Sequence, residues 1–199
     1  MRVFIGLDID DSIRQRIQRF MHGVREFAPD ARWVRPESLH VTLKFIGEKP
    51  PEHVEDIKKT VSELRAGPMT LSFRGYGFFP TAKAPRVFWI GIEAGPELSL
   101  LAHAVDEALA RLGVPKEDHE FSPHLTLARA GGRTGSPRWQ KADKPNLSFK
   151  RLQEKLAAMP QPDFGTMTAH EFYLYESKLS PGGARYNKVA RFELDNPVS

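Results

Sequence analysis

His40 and Thr42 stand two residues apart in the run Leu39-His40-Val41-Thr42-Leu43, and His124-Leu125-Thr126-Leu127 repeats the arrangement. Each run is short and apolar and reads as a strand. Alternate side chains of a strand share a face, so each imidazole should stand beside its threonine hydroxyl. Imidazole is the side chain whose ordinary pKa is closest to neutrality, so it can give or take a proton at cellular pH. Opening a phosphodiester by in-line attack needs a proton taken from water on one side of phosphorus. It also needs a proton delivered to the leaving oxygen on the other. Two facing histidines, one neutral and one protonated, meet that demand, and the threonine hydroxyls would bond the non-bridging oxygens. A lone His-x-Thr is an ordinary core or surface histidine; the duplication carries the weight.

Paired histidines also suit a metal, but the pattern does not complete a site. The chain has no cysteine, and neither His/Thr run contains Asp, Glu or a second His. His119 and His124 are one residue too far apart for the helical zincin spacing, and Pro123 argues against that helix. The expectation is a reaction without metal or other cofactor.

The flanking chain supplies elements to hold the two runs. Val3 to Leu7 reads as a buried strand, and Asp10 or Asp11 can cap a helix bearing Ile13, Ile17, Phe20, Met21, Val24 and Phe27. The first His/Thr strand, about Leu39 to Ile46, is followed by a helix on Val54, Ile57, Val61 and Leu64, then a strand over Met69 to Phe79. The second half starts with a strand at Val87 to Ile92 and a helix from Pro96 on Leu98, Leu101, Val105, Leu109 and Leu112. After the second His/Thr strand come a Gly/Pro/Arg/Lys loop, a short helix around Leu152 and Leu156, and two closing strands near Ala169 to Tyr175 and Tyr186 to Leu194.

An offset of 84 carries His40, Thr42 and Leu43 onto His124, Thr126 and Leu127, and Ser38 onto Ser122. It also carries Arg2-Val3-Phe4 onto Arg86-Val87-Phe88, and Ile17, Met21 and Val24 onto Leu101, Val105 and Ala108. The expected fold is α+β: one bilobal domain over 1–199, with approximate internal repeats 2–80 and 86–194. The two pseudo-twofold-related lobes of antiparallel sheet, flanked by helices, should enclose a central cleft.

The composition is that of a globular protein, at 40% hydrophobic and 27% charged, and no apolar run is long enough to cross a membrane. The opening Met1 to Asp8 turns acidic too early for a secretory h-region. Zero Cys excludes disulfides and thiolate nucleophiles and fits a reducing cytoplasm, the expected compartment. A monomer is the expected state. A formal net charge of +4 leans mildly towards an anionic partner, such as a nucleic-acid end rather than a long duplex.

The two His-x-Thr-x runs resemble the paired motifs of the 2H phosphoesterase superfamily. Trp33-Val34-Arg35-Pro36-Glu37-Ser38-Leu39-His40, Phe121-Ser122-Pro123-His124 and Ser177-Lys178-Leu179 with Gly183 and Tyr186 extend the resemblance to the RNA 2′,3′-cyclic phosphodiesterases, also called 2′-5′ RNA ligases. The resemblance runs from Val3 to about Leu194. It implies metal-independent opening of RNA 2′,3′-cyclic phosphate ends, including those of tRNA fragments, to 2′-phosphomonoesters, and, as in some members, ATP-independent 2′-5′ joining of RNA ends. It implies His40 as proton donor and His124 as proton acceptor; the symmetry of the sequence itself leaves that choice open. It also implies an arginine near the phosphate at Arg129.

Arg129 and its repeat counterpart Phe45 break the symmetry. A guanidinium suits a phosphate, and an aromatic ring suits a stacked base, although core is the expected place for Phe45. Strict alternation turns Arg129 away from His124 and Thr126, so a bulge must redirect it. Arg133, Arg138, Lys141 and Lys144 form a basic loop that could guide an RNA strand. A non-catalytic module that binds RNA ends is the competing reading.

Overall fold

A computed structural model describes residues 1–131 and 147–195; the basic loop residues Arg133, Arg138, Lys141 and Lys144 lie outside them. The strands are β1 (Arg2–Leu7), β2 (Arg32–Trp33), β3 (Val41–Glu48), β4 (Met69–Phe79), β5 (Val87–Ala94), β6 (His124–Arg129), β7 (Asp163–Ala169), β8 (Glu171–Ser180) and β9 (Gly183–Glu193). The α-helices are α1 (Asp11–Val24), α2 (Pro51–Ser62), α3 (Pro96–Ala110) and α4 (Lys150–Ala157). The α+β class and the paired lobes follow the sequence reading.

The strands form two antiparallel sheets, ordered β3-β1-β8-β9 and β2-β6-β5-β4-β7. Apart from the short β2, the two orders match position by position, which is the pseudo-twofold. The halves of the chain nevertheless trade strands: β4 completes the second sheet, while the late hairpin β8–β9 completes the first. Helices are traded too. The apolar face of α1 packs towards β7, where Arg16 Nη1 donates to the Phe164 carbonyl at 3.2 Å, and α3 packs on β3. One buried cluster runs from Val3 to Leu194 through both sheets. Burial of this continuous apolar surface holds the lobes together.

Three sequence expectations change. The Arg2-Val3-Phe4 match to Arg86-Val87-Phe88 is not a structural equivalence. Thr42 lies opposite Gly6 on β1, and Thr126 lies opposite Trp89 on β5, so the strands correspond at an offset of 83. A one-residue slip exchanges faces: Phe4 faces the cleft, whereas Phe88 is core. Secondly, three strands close the chain rather than two. β7 lacks a clean period because an extra residue at Phe164 and the positive φ of Gly165 (104°) interrupt its alternation. Thirdly, Asp10 occupies the N-cap of α1 without a side-chain cap bond.

Candidate active site

His40 immediately precedes β3 and His124 opens β6, the strands along which the two sheets meet. The chain turns into each strand in the same way. His40 Nδ1 lies 2.8 Å from the Ser38 carbonyl, and His124 Nδ1 lies 2.8 Å from the Ser122 carbonyl. A carbonyl only accepts, so in both rings Nδ1 carries a proton and Nε2 is the atom that gains or loses one. His40 Nε2 is 2.9 Å from Thr42 Oγ1, which places the predicted His/Thr pair on one face. When Nε2 is neutral the hydroxyl donates to it; when Nε2 is protonated, Nε2–H donates to the hydroxyl.

The bulge that Arg129 requires is present, and it occurs twice. On β6 the partners Phe88↔Ala128 and Trp89↔Thr126 leave one extra residue, and Leu127 and Ala128 are both buried. On β3 the partners Ile5↔Lys44 and Gly6↔Thr42 do the same, with Leu43 and Lys44 both turned inward. Two consecutive inward residues reverse the alternation, so Arg129 and Phe45 return to the cleft side. Phe45 is therefore not core. It is 49% exposed, with the Arg2 guanidinium 5.2 Å from its ring centroid.

The same bulge removes Lys44 from the cleft. Its side chain is 2% exposed, and the ammonium donates to Asp106 Oδ1 and the Pro115 carbonyl, each at 2.7 Å. This ion pair ties β3 to α3, and Glu117 Oε1, 3.3 Å from the same ammonium, gives the buried lysine a second carboxylate.

Aromatic side chains build the walls. Phe4, Tyr173 and Tyr175 form a buried group with Tyr186 against it, and His40 sits 4.7 Å from Phe4 and 4.9 Å from Tyr186, ring to ring. Across the cleft Phe79 meets His124 edge-on at 4.9 Å, with Trp89 6.2 Å away. A large ring and a glycine pair in opposite order on the two walls. Gly6 faces Tyr173 on one, and Trp89 faces Gly77 on the other. A Cβ on Gly77 would lie 2.1 Å from the Trp89 ring, and a Cβ on Gly6 would lie 2.8 Å from the Val41 carbonyl, so both positions require glycine for close approach. Periodicity could not find these rings, because β1 and β5 are apolar on both faces.

Charge separates the two histidines. Burial pulls both imidazoles below their ordinary pKa, the carbonyl bond at Nδ1 opposes this, and the Arg129 cation lowers both. Only His40 also feels a carboxylate, Asp8, which favours its protonated form. Asp8 bonds Arg14 Nη2 at 2.5 Å and Lys188 Nζ at 2.7 Å. Although burial opposes ionisation of Asp8, these cations hold its pKa below the usual carboxylate value. Arg14 Nη1 donates onward to the Pro36 carbonyl at 2.5 Å and to Leu39 at 3.4 Å, bracketing the turn before His40. Asp8 and Arg14 carry no sequence signal beyond lying just after a buried strand.

The two imidazoles, one just before β3 and one at the start of β6, both lie in the field of one guanidinium and form a two-histidine cleft with the chemistry for proton transfer. The LigT like phosphoesterase family model matches residues 7–89 and again 90–186, one match for each His/Thr run. The chain belongs to this family. It is 34% identical to the RNA 2′,3′-cyclic phosphodiesterase of Archaeoglobus fulgidus, over 97% of this chain and 100% of that protein. With the enzyme of the same name from Methanothermobacter thermautotrophicus it shares 30% identity over 98% and 99% of the two chains. The crystal structure of E. coli LigT complexed with 3′-AMP matches with a TM-score of 0.76 and 26% identity over 98% of each chain.

Proposed function

We propose that this protein opens the 2′,3′-cyclic phosphate at RNA 3′ ends to a 2′-phosphomonoester. His124 Nε2 takes a proton from the attacking water. The P–O3′ bond breaks as the new P–O bond forms, and His40 Nε2–H delivers its proton to the departing 3′ oxygen. Thr42, Thr126 and Arg129 bind the non-bridging oxygens, whose charge grows in the transition state. The step needs no metal. The single observation that carries this reading is the pair of Nε2 atoms, each fixed by a backbone carbonyl at Nδ1, beside Arg129. The names of the relatives support it.

Asp8 supports the choice of His40 as donor, because an acid must start protonated. We assign to the exposed Phe45 ring the stacking of a base, which its exposure on the cleft side supports. With a ribose 5′-hydroxyl in place of water, the same proton transfers join two RNA ends through a 2′-5′ linkage; in water, hydrolysis dominates. Among the described residues no helix is long and apolar enough to cross a membrane. Action as a monomer in the cytoplasm on oligonucleotide or tRNA-fragment ends completes the proposal.

Phosphorus NMR of a cyclic-phosphate oligonucleotide incubated with the protein in EDTA tests it. A 2′-phosphomonoester resonance is expected. A 3′-phosphate product, or an intact cyclic phosphate, would contradict the scheme.

The pH dependence has a definite sign. The base must be neutral and the acid protonated, and both pKa values are lowered. Both limbs of the kcat/KM bell should therefore fall below the ordinary imidazole value of about 6.5. Asp8→Asn withdraws the charge that raises His40, so the descending limb should move to lower pH and the ascending limb should stay. Movement of the ascending limb alone would reverse the donor and acceptor.

A further inference from the structure

A cavity of about 680 Å³ lies outside the two-histidine cleft, between the polar face of α1 and the segment leading to His40. Its walls include Arg19, His22, Arg25 and Arg35 together with Gln15 and Gln18, and among the described residues no carboxylate lines it. Ile13, Ile17, Met21 and Val24 turn α1 inward, which leaves this cationic and amide face to solvent. Neither Arg19 nor Arg25 has an ion-pair partner among the described residues. Unpaired guanidinium groups around a concave surface provide an electrostatic and hydrogen-bonding match to phosphodiester oxygens.

A short run of β9 and its hairpin links the wall of the groove to the wall of the cleft. Along β9 the Tyr186 ring packs edge-on against His40 at 4.9 Å. Two residues earlier, the Ala184 carbonyl accepts from Ser38 Oγ at 3.2 Å. At the hairpin tip the Gly182 carbonyl accepts from Arg35 Nε at 2.8 Å, and Gly182 itself lines the cavity. Four residues of extended chain thus bridge cleft and groove, about 13 Å. A Cβ on Gly182 would lie 1.8 Å from Arg35 Nη2, so the tip is seated closely on that arginine.

We infer that this groove is a strand-binding subsite that takes the sugar–phosphate backbone of the RNA on the 5′ side of its cyclic phosphate. The inference rests on the reaction proposed above and adds a preference: a polynucleotide end should be a better substrate than a nucleoside 2′,3′-cyclic phosphate. The cleft alone holds the reacting nucleotide, and the groove adds affinity through backbone interactions that carry no sequence information.

The test compares the wild type with an Arg19→Ala/Arg25→Ala double variant on two substrates, a nucleoside 2′,3′-cyclic phosphate and a short oligonucleotide ending in one. For the oligonucleotide, kcat/KM is expected to fall about 10-fold or more at low salt. Its log–log salt slope should shrink by about 0.7 for each phosphate that the variant no longer neutralises. Turnover of the nucleoside substrate should be unchanged. Unchanged oligonucleotide turnover, or an equal fall for both substrates, would overturn the subsite. If the wild type turns over neither substrate, the proposed reaction fails instead. Fluorescence anisotropy of the labelled oligonucleotide then tests the groove directly, and equal affinity of wild type and double variant would overturn it.

Discussion

Replacing either His40 or His124 by alanine is expected to lower kcat/KM on a cyclic-phosphate RNA end by a factor of about 10² to 10⁴, the range that a positioned acid or base contributes. Each substitution should also change the shape of the pH profile. His124→Ala removes the ascending limb, since no base remains to be deprotonated; His40→Ala removes the descending limb. The double variant should be little worse than the poorer single one, because the two proton transfers serve one transition state. His40 packs against Phe4 and Tyr186, so its truncation also opens a space in the wall. His40→Asn is the companion variant, because an amide nitrogen in place of Nδ1 can keep the bond to the Ser38 carbonyl while supplying no proton at neutral pH. Equal losses in the alanine and asparagine variants assign the effect to the missing proton. Full activity of His124→Ala would remove the base from the scheme.

The sequence disclosed what depends on local pattern. The His/Thr runs and the apolar stripes of α1 and α3 show their periods directly, and the repeat of the paired motif implied a two-walled site. What stayed hidden depends on partners far away in the chain. That β4 completes the second sheet while β8 and β9 complete the first is a matter of long-range pairing, which no window of sequence displays. The slip between β1 and β5 was masked by a coincidence of residue type, since Phe4 and Phe88 are both large and apolar yet face opposite ways. Asp8 acts on His40 across the fold, with Arg14 tying it to the Pro36 and Leu39 carbonyls. The bulges are the instructive intermediate case. Placing Arg129 near a phosphate demanded one on β6, but nothing in Leu127-Ala128 announces it. Its twin on β3 was detectable only through Lys44, a charged residue in an otherwise apolar run.

Arg129→Met is expected to reduce kcat/KM about 10²-fold, corresponding to the loss of about 3 kcal/mol at the top of the range for a hydrogen bond to a charged group. Arg129→Lys should recover only part of this, since an ammonium keeps the charge but not the two-pronged fork that matches paired phosphate oxygens. Arg129 is exposed at the end of β6, so neither change should unfold the protein. The pH profile separates a group that binds the anion from one that merely shapes the strand. Arg129 lowers the proton affinity of His40 and of His124, so withdrawing its charge should move both limbs of the profile to higher pH. Asp8→Asn should instead move one limb, and in the opposite direction. The methionine variant should displace both limbs and the lysine variant neither, because lysine retains the charge. If Arg129→Met leaves both limbs in place, the guanidinium does not act on the pair, and the β6 bulge would then serve packing alone. A joint shift, with partial rescue of rate by lysine, would assign the bulge its chemical purpose: turning a cation towards the phosphate from a strand whose regular alternation points it away.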